Sequence, residues 1–281
     1  MDYLPSLIGG MLLGLSTLLL LMLNGRVAGI SGIFGRLLAG SERSTNGAFV
    51  IGLLLAAPVY FLVFGAKPSM TVAVGAPTII LAGLLVGFGT RMGVRLHFWP
   101  WHFGTGAPFQ ALNRSDAYIS AGRSSCRDDA GGISMNETQA RIAVALFAGL
   151  LFGFGLCLSG MLDPARVVGF LDIASGHWDP SLAFVLWGAV VVTGAGVFLQ
   201  RTMARPILDS AFELEAVDSP VDARLIIGSA IFGSGWGLAG FCPGPAVAAL
   251  STSLPEALIF VAAMAVGMMA HDRGRVGLLR A

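Results

Sequence analysis

Ser181-Leu-Ala-Phe-Val-Leu-Trp-Gly-Ala-Val-Val-Val-Thr-Gly-Ala-Gly-Val-Phe-Leu-Gln200 runs for twenty residues without a charged side chain. As an α-helix it reaches about 30 Å, the thickness of a bilayer's hydrocarbon core. Six more apolar runs with few or no charges lie outward from it, at Ser6–Leu23, Gly47–Ala66, Val72–Met92, Arg141–Met161, Ala223–Ala239 and Pro255–Ala270. The whole chain of 281 residues is 55% hydrophobic and only 12% charged, with a mean hydropathy of +0.79. A soluble domain of that composition would expose large apolar patches, so the solvent for most of this surface is lipid. The reading is an all-α integral membrane protein, a polytopic helix bundle that fills residues 1–281 as a single membrane domain.

Three apolar pieces are too short to cross and too apolar for loops: Val27–Leu38, Pro164–Ala174 and Pro243–Ser253. They read as re-entrant half-helices. Irregular backbone at membrane depth persists only where protein or a water-lined cavity covers it, so such pieces point to a solute site near the midplane. The 39 glycines suit helices that pack through small residues. A net charge of +1 gives no electrostatic basis for a nucleic-acid partner. Cys126, Cys157 and Cys242 are too few and too scattered for a disulfide framework, and no His or Cys pair has metal-ligand spacing. No metal or cofactor is expected. The N-terminus has no basic n-region and no small-residue cleavage site, so its apolar run reads as a retained helix.

Internal echoes suggest two halves on one plan. Gly10-Met-Leu-Leu-Gly-Leu15, followed by Arg26-Val-Ala-Gly29, matches Gly149-Leu-Leu-Phe-Gly-Phe154, followed by Arg166-Val-Val-Gly169. Gly87 and Gly89 match Gly233 and Gly235 in spacing. The expected organisation is a first repeat half at 1–93, an anomalous polar segment at 94–140 and a second half at 141–281.

The chemically informative motif is Gly237-Leu-Ala-Gly240-Phe-Cys242-Pro243-Gly244-Pro-Ala246. Proline in a helix's first turn beside a lone cysteine places a thiol next to free backbone N–H groups, a setting that favours an anion. Gly240, Cys242, Pro243 and Gly244 are therefore the candidate solute-path residues; the plain alternative for Cys242 is a buried, inert thiol. Cys157 sits mid-span without such a break and reads as packing. Arg26 and Arg166, each beside a short apolar piece, are second-rank anion candidates, with snorkelling to the headgroups the favoured reading. Asp163-Pro164 and Asp179-Pro180 read as helix caps. No nucleophile–base pair is visible, so no enzyme activity is expected.

These residues carry a resemblance. Asn24-Gly-Arg-Val-Ala-Gly-Ile-Ser-Gly-Ile33, Leu158-Ser-Gly-Met-Leu-Asp-Pro-Ala165, Trp178-Asp-Pro-Ser-Leu182 and Gly235-Trp-Gly-Leu-Ala-Gly-Phe-Cys-Pro-Gly-Pro-Ala246 resemble the YeeE/YedE family (sulfur transport domain), over most of the chain. The resemblance implies a bacterial inner-membrane protein with inverted, re-entrant repeats that takes up thiosulfate past cysteines on a central path. It implies that Cys242 is the second-half path cysteine, and that a TusA-like sulfur-carrier protein is a cytoplasmic partner. Two rival functions are a membrane sulfur relay carrying persulfide on Cys242 and a small-solute permease unrelated to sulfur.

The chain departs from the family after Gly93, where the family has Gly-Cys-Thr-Ser-Gly-His-Gly and this sequence has Arg95-Leu-His-Phe-Trp-Pro-Trp101. Read one nucleotide later, the codons for those seven residues permit the family motif, and the two tryptophan codons force its last glycine and its first internal one. The spacing of the glycine echo independently places the counterpart of Cys242 at Leu96. A shifted reading frame between about residue 94 and Arg141 is the expectation. Orientation rests on Arg273, Arg275 and Arg280, which favour a cytoplasmic C-terminus.

Overall fold

The computed structural model describes residues 3–26, 29–38, 42–66, 68–93, 135–173, 176, 178–203, 205–209, 212, 223–252 and 254–278. The described residues form ten α-helices joined by turns and short extended segments: α1 Leu4–Asn24, α2 Ile30–Leu38, α3 Arg43–Phe64, α4 Ala76–Gly93, α5 Met135–Ser159, α6 Pro164–Leu171, α7 Ser181–Gln200, α8 Ala223–Ala239, α9 Pro243–Ala249 and α10 Pro255–Leu278. A 3-10 turn, Leu250–Thr252, continues α9.

Among the described residues five helices are long and apolar enough to cross a membrane, six if α8 and α9, bent by 43°, count as one broken span. Their outward faces carry large apolar side chains such as Leu62, Val190 and Phe198, as a lipid-solvated surface requires. The protein is a multi-pass, all-α membrane protein.

Two expectations need correction. The run expected at Val72–Met92 is helical only from Ala76, because Pro77 belongs in a first turn and the residue before a proline resists helix. The polar segment expected at 94–140 ends sooner, since residues 135–140 are the opening turns of α5, whose first turn carries Glu137 where the helix dipole favours an acid. The proposed frame shift at 94–134, with Leu96 and Cys126, lies outside the described residues.

Glycine sets the packing. A Cβ built on Gly10 would fall inside 3.0 Å of the Val185 carbonyl, and one on Gly149 inside 3.0 Å of the Phe49 carbonyl. Gly52 meets Leu146 of α5 as Gly188 meets Leu7 of α1; Gly89 meets Gly228 of α8 as Gly235 meets Ala82 of α4. These contacts recur with the halves exchanged, so α1, α3 and α4 occupy the places of α5, α7 and α8.

The direction of these helices gives the sense of the exchange. Gly9 lies against Ser159 and Gly155, while Ser16 Oγ donates to the Ala148 carbonyl at 2.7 Å. As α1 advances, α5 recedes, so these equivalent helices run antiparallel. The same holds for α4 and α8, where Gly89 meets Phe232 and Gly235 meets Leu85. Equivalent helices of opposite direction mean repeats of inverted topology.

By these pairings one face of the bundle gathers the ends of α1, α4, α7 and α10 and the starts of α3, α5 and α8. Met22 and Leu23 there accept hydrogen bonds from the N–H groups of Ile207 and Leu208, at 3.1 and 2.9 Å. The opposite face gathers the start of α1, where Tyr3 stacks on Phe184 of α7 at 4.9 Å, and the end of α5. Gly87 of α4 lies against Met264 of α10, but its counterpart Gly233 on α8 has nothing within 4 Å among the described residues.

Candidate functional site

The break between α8 and α9 is built by Gly240. Its φ of 71° lies in the left-handed region, and a Cβ there would collide with the Pro164 carbonyl. That contact brings the start of α6 against the turn that carries Cys242. Cys242 follows in extended conformation as the N-cap of α9, with Pro243 and Pro245 in its first turns.

Every residue of α9 is buried, from Pro243 to Ala249. It packs among α2, α3, α5 and α10, and Ile30 at the start of α2 reaches Gly244. The four sequence-predicted path residues thus come together where the starts of three short helices, α2, α6 and α9, converge inside the bundle. Cys242 is half-buried between Phe241 and Pro243, which are fully buried. A soft, polarizable sulfur is presented there without a disulfide partner.

Cys157 of α5 is 4% exposed, packed in the core cluster that also holds Leu156, Leu162, Phe241 and residues 246–249 of α9. Asp163 caps α6: its carboxylate accepts from the Ala165 N–H at 3.1 Å and from the Thr71 N–H at 2.9 Å, tying the linker before α4 to the same corner. Asp179 accepts from the Ser181 N–H at 2.9 Å at the start of α7.

The two second-rank arginines differ. Arg26 is turned inward, 6% exposed, and is ion-paired with Glu42, whose own side chain stays open to the surface, so in place of snorkelling the guanidinium is buried against an exposed carboxylate. Desolvating a guanidinium costs too much unless a carboxylate compensates, and Glu42 ahead of α3 is within reach. Arg166 is exposed, lies over Gly160 and donates to the Ser159 carbonyl at 3.3 Å. No carboxylate pairs with it among the described residues.

A third arginine escaped the sequence reading. Arg91, near the end of α4, is 7% exposed, with its guanidinium packed on Gly35 of α2. It donates to the Gly35 carbonyl at 3.2 Å and pairs with Asp272 of α10 at 3.2 Å. The only signal was an ionisable residue inside an apolar run, which by itself marks a place of interest in a membrane protein. Among the described residues no group of three His, Cys, Asp or Glu side chains could hold a metal.

Fold and site together define a polytopic membrane protein whose broken helices converge on a thiol. Residues 140–274, from α5 into α10, match a family of unknown function, DUF6691. A protein of Xylella fastidiosa strain Temecula1 named "Probable transporter" is 59% identical over 133 residues, which make up 47% of this chain and 89% of the relative. A protein of the same name from another strain is 59% identical over 133 residues, 90% of its length. A second Temecula1 protein, also named "Probable transporter", is 58% identical over 92 residues, 33% of this chain and 68% of the relative. The chain belongs to the family of these Xylella proteins, which are about half its length. No solved structure matches it.

Proposed function

We propose that this protein carries a thiosulfate-like sulfur anion across the bacterial inner membrane into the cytoplasm, along a path that passes Cys242. The observation that carries the reading is the convergence of α2, α6 and α9 on a half-buried thiol inside a bilayer-spanning bundle. Short helices meeting at membrane depth are the usual construction of a transported-solute site. A sulfur atom is a poor hydrogen-bond partner for a hard oxyanion but a good contact for the terminal sulfur of thiosulfate. The printed names of the Xylella relatives support transport, and the YeeE/YedE resemblance supplies the substrate class.

Orientation follows from charge. Arg26, Arg36, Arg91, Arg141, Arg224 and Arg273 all belong to the face where α1 and α7 end. Arg166 is the one arginine or lysine of the opposite face among the described residues. Arginine-rich flanks stay in the cytoplasm, so that face is read as cytoplasmic, together with the end of α10 and the C-terminus. A TusA-like carrier would meet the emerging anion there.

The test is growth of a strain lacking its own uptake systems on thiosulfate as the sole sulfur source. Rescue by this gene, abolished by Cys242→Ala, is the expected result; rescue that persists without the thiol would favour a permease indifferent to sulfur.

A further inference from the structure

Two water-sized cavities open in the described protein, and they occupy equivalent positions in the two halves. One is lined by Leu20, Asn24, Arg26, Thr45 and Phe49, the other by Ser159, Arg166, Ser181 and Val185. Leu20 of α1 corresponds to Ser159 of α5, Thr45 of α3 to Ser181 of α7, and Phe49 to Val185, by the same exchange that pairs Gly10 with Gly149. The two arginines correspond through the Arg-Val-Ala-Gly and Arg-Val-Val-Gly echo. Because α1 and α5 run antiparallel, the cavities open toward opposite faces of the membrane.

The Arg26 cavity also contains an unmet polar group. Asn24 is fully buried; its amide nitrogen donates to the Arg141 carbonyl at 3.2 Å, and its Oδ1 has no partner. A buried amide oxygen left unpaired forfeits the hydrogen bonds it makes in water. It would be met by a water or a hydrated ligand entering the cavity, so this position is built for a polar occupant.

We propose that Arg166 and Arg26 are the two ends of the anion path: an outer site that captures a small oxyanion and an inner site that releases it. This rests on the transport reading and adds residues and direction to it. The asymmetry lies in the counter-charge. Arg166 offers its guanidinium with no carboxylate bound, so an arriving anion meets an available charge-assisted donor. Arg26 already holds Glu42, so an anion reaching it competes with a tethered carboxylate and is bound more weakly. Strong capture outside and weakened binding inside favour delivery to the cytoplasm at low external concentration.

The experiment is uptake of labelled thiosulfate by right-side-out and inside-out vesicles containing the full chain. Arg166→Gln should raise KM about tenfold for flux from the outer side and leave KM from the inner side unchanged, the loss of one charge-assisted contact. Arg26→Gln should do so from the inner side alone, Arg166→Lys should restore most of the outer affinity, and Glu42→Gln should lower the inner KM. A purely structural role would reduce the amount of folded transporter, and so Vmax, equally from both sides. Equal changes from both sides, or none, would overturn the inference while leaving transport standing. Absence of saturable flux in the unmodified protein would overturn the transport reading and this inference with it.

Discussion

Gly240 holds a left-handed turn with its α-carbon pressed on the carbonyl of Pro164, so no side chain fits between the start of α6 and the break that carries Cys242. Gly240→Ala must adopt a disfavoured φ and displace Pro164, a combined cost of about 1–3 kcal/mol or more. Gly244→Ala meets only the flexible end of Ile30 and should cost less. Thermal unfolding in detergent should rank Gly240→Ala well below Gly244→Ala; the reverse order would mean that the α6 contact does not hold the break.

The exchange of contacts between halves predicts matched sensitivities. Gly10→Leu and Gly149→Leu both drive a side chain into a facing carbonyl and should each destabilise by about 1–3 kcal/mol or prevent insertion. Gly233→Leu, with open space around it, should be tolerated. Expression and unfolding of the three variants side by side check this, and a damaging Gly233→Leu would show that a helix packs there in the membrane.

Arg91 is the buried charge whose compensation is most exposed to change. Asp272→Asn leaves the guanidinium with the Gly35 carbonyl as its main acceptor, and the expected loss is about 1–3 kcal/mol, the lower end applying because Asp272 is 47% exposed. Arg91→Leu together with Asp272→Asn should recover part of it, since an apolar pair removes the buried charge. Unfolding midpoints of the single and double variants decide the matter; a double variant worse than Asp272→Asn alone would give Arg91 a role beyond that pair.

Sequencing the gene across the codons for residues 85–145 should find a one-base change that restores Gly-Cys-Thr-Ser-Gly-His-Gly after Gly93, with cysteine at position 96. A gene that encodes Arg95-Leu-His-Phe-Trp-Pro-Trp101 unchanged would lack the first-half cysteine, and its product should fail to rescue growth on thiosulfate.

Much of this was legible in the sequence. Long apolar runs with few charges give spans because lipid tolerates little else, and Gly-Phe-Cys-Pro-Gly-Pro announces a helix break through proline's missing N–H and fixed φ. The Asp163 and Asp179 caps were likewise readable from Asp-Pro. The burial of Arg91 and Arg26 was not. In a helix such as α4, apolar on every side, periodicity does not distinguish the face toward lipid from the face toward protein. Only the placement of Gly35, Asp272 and Glu42 from distant segments shows where those charges go. The equivalence of the two arginine cavities also needed three dimensions, because Leu20 and Ser159, or Phe49 and Val185, share no chemistry that sequence comparison would align.

The central claim is tested most directly by measuring uptake of labelled thiosulfate into cells or vesicles containing the unmodified protein, Cys242→Ser and Cys157→Ser at equal membrane abundance. The account predicts saturable uptake in the unmodified protein, near-normal uptake in Cys157→Ser and background uptake in Cys242→Ser, because a hydroxyl cannot replace the soft sulfur contact. Undiminished thiosulfate uptake in Cys242→Ser, or none in the unmodified protein, would contradict it.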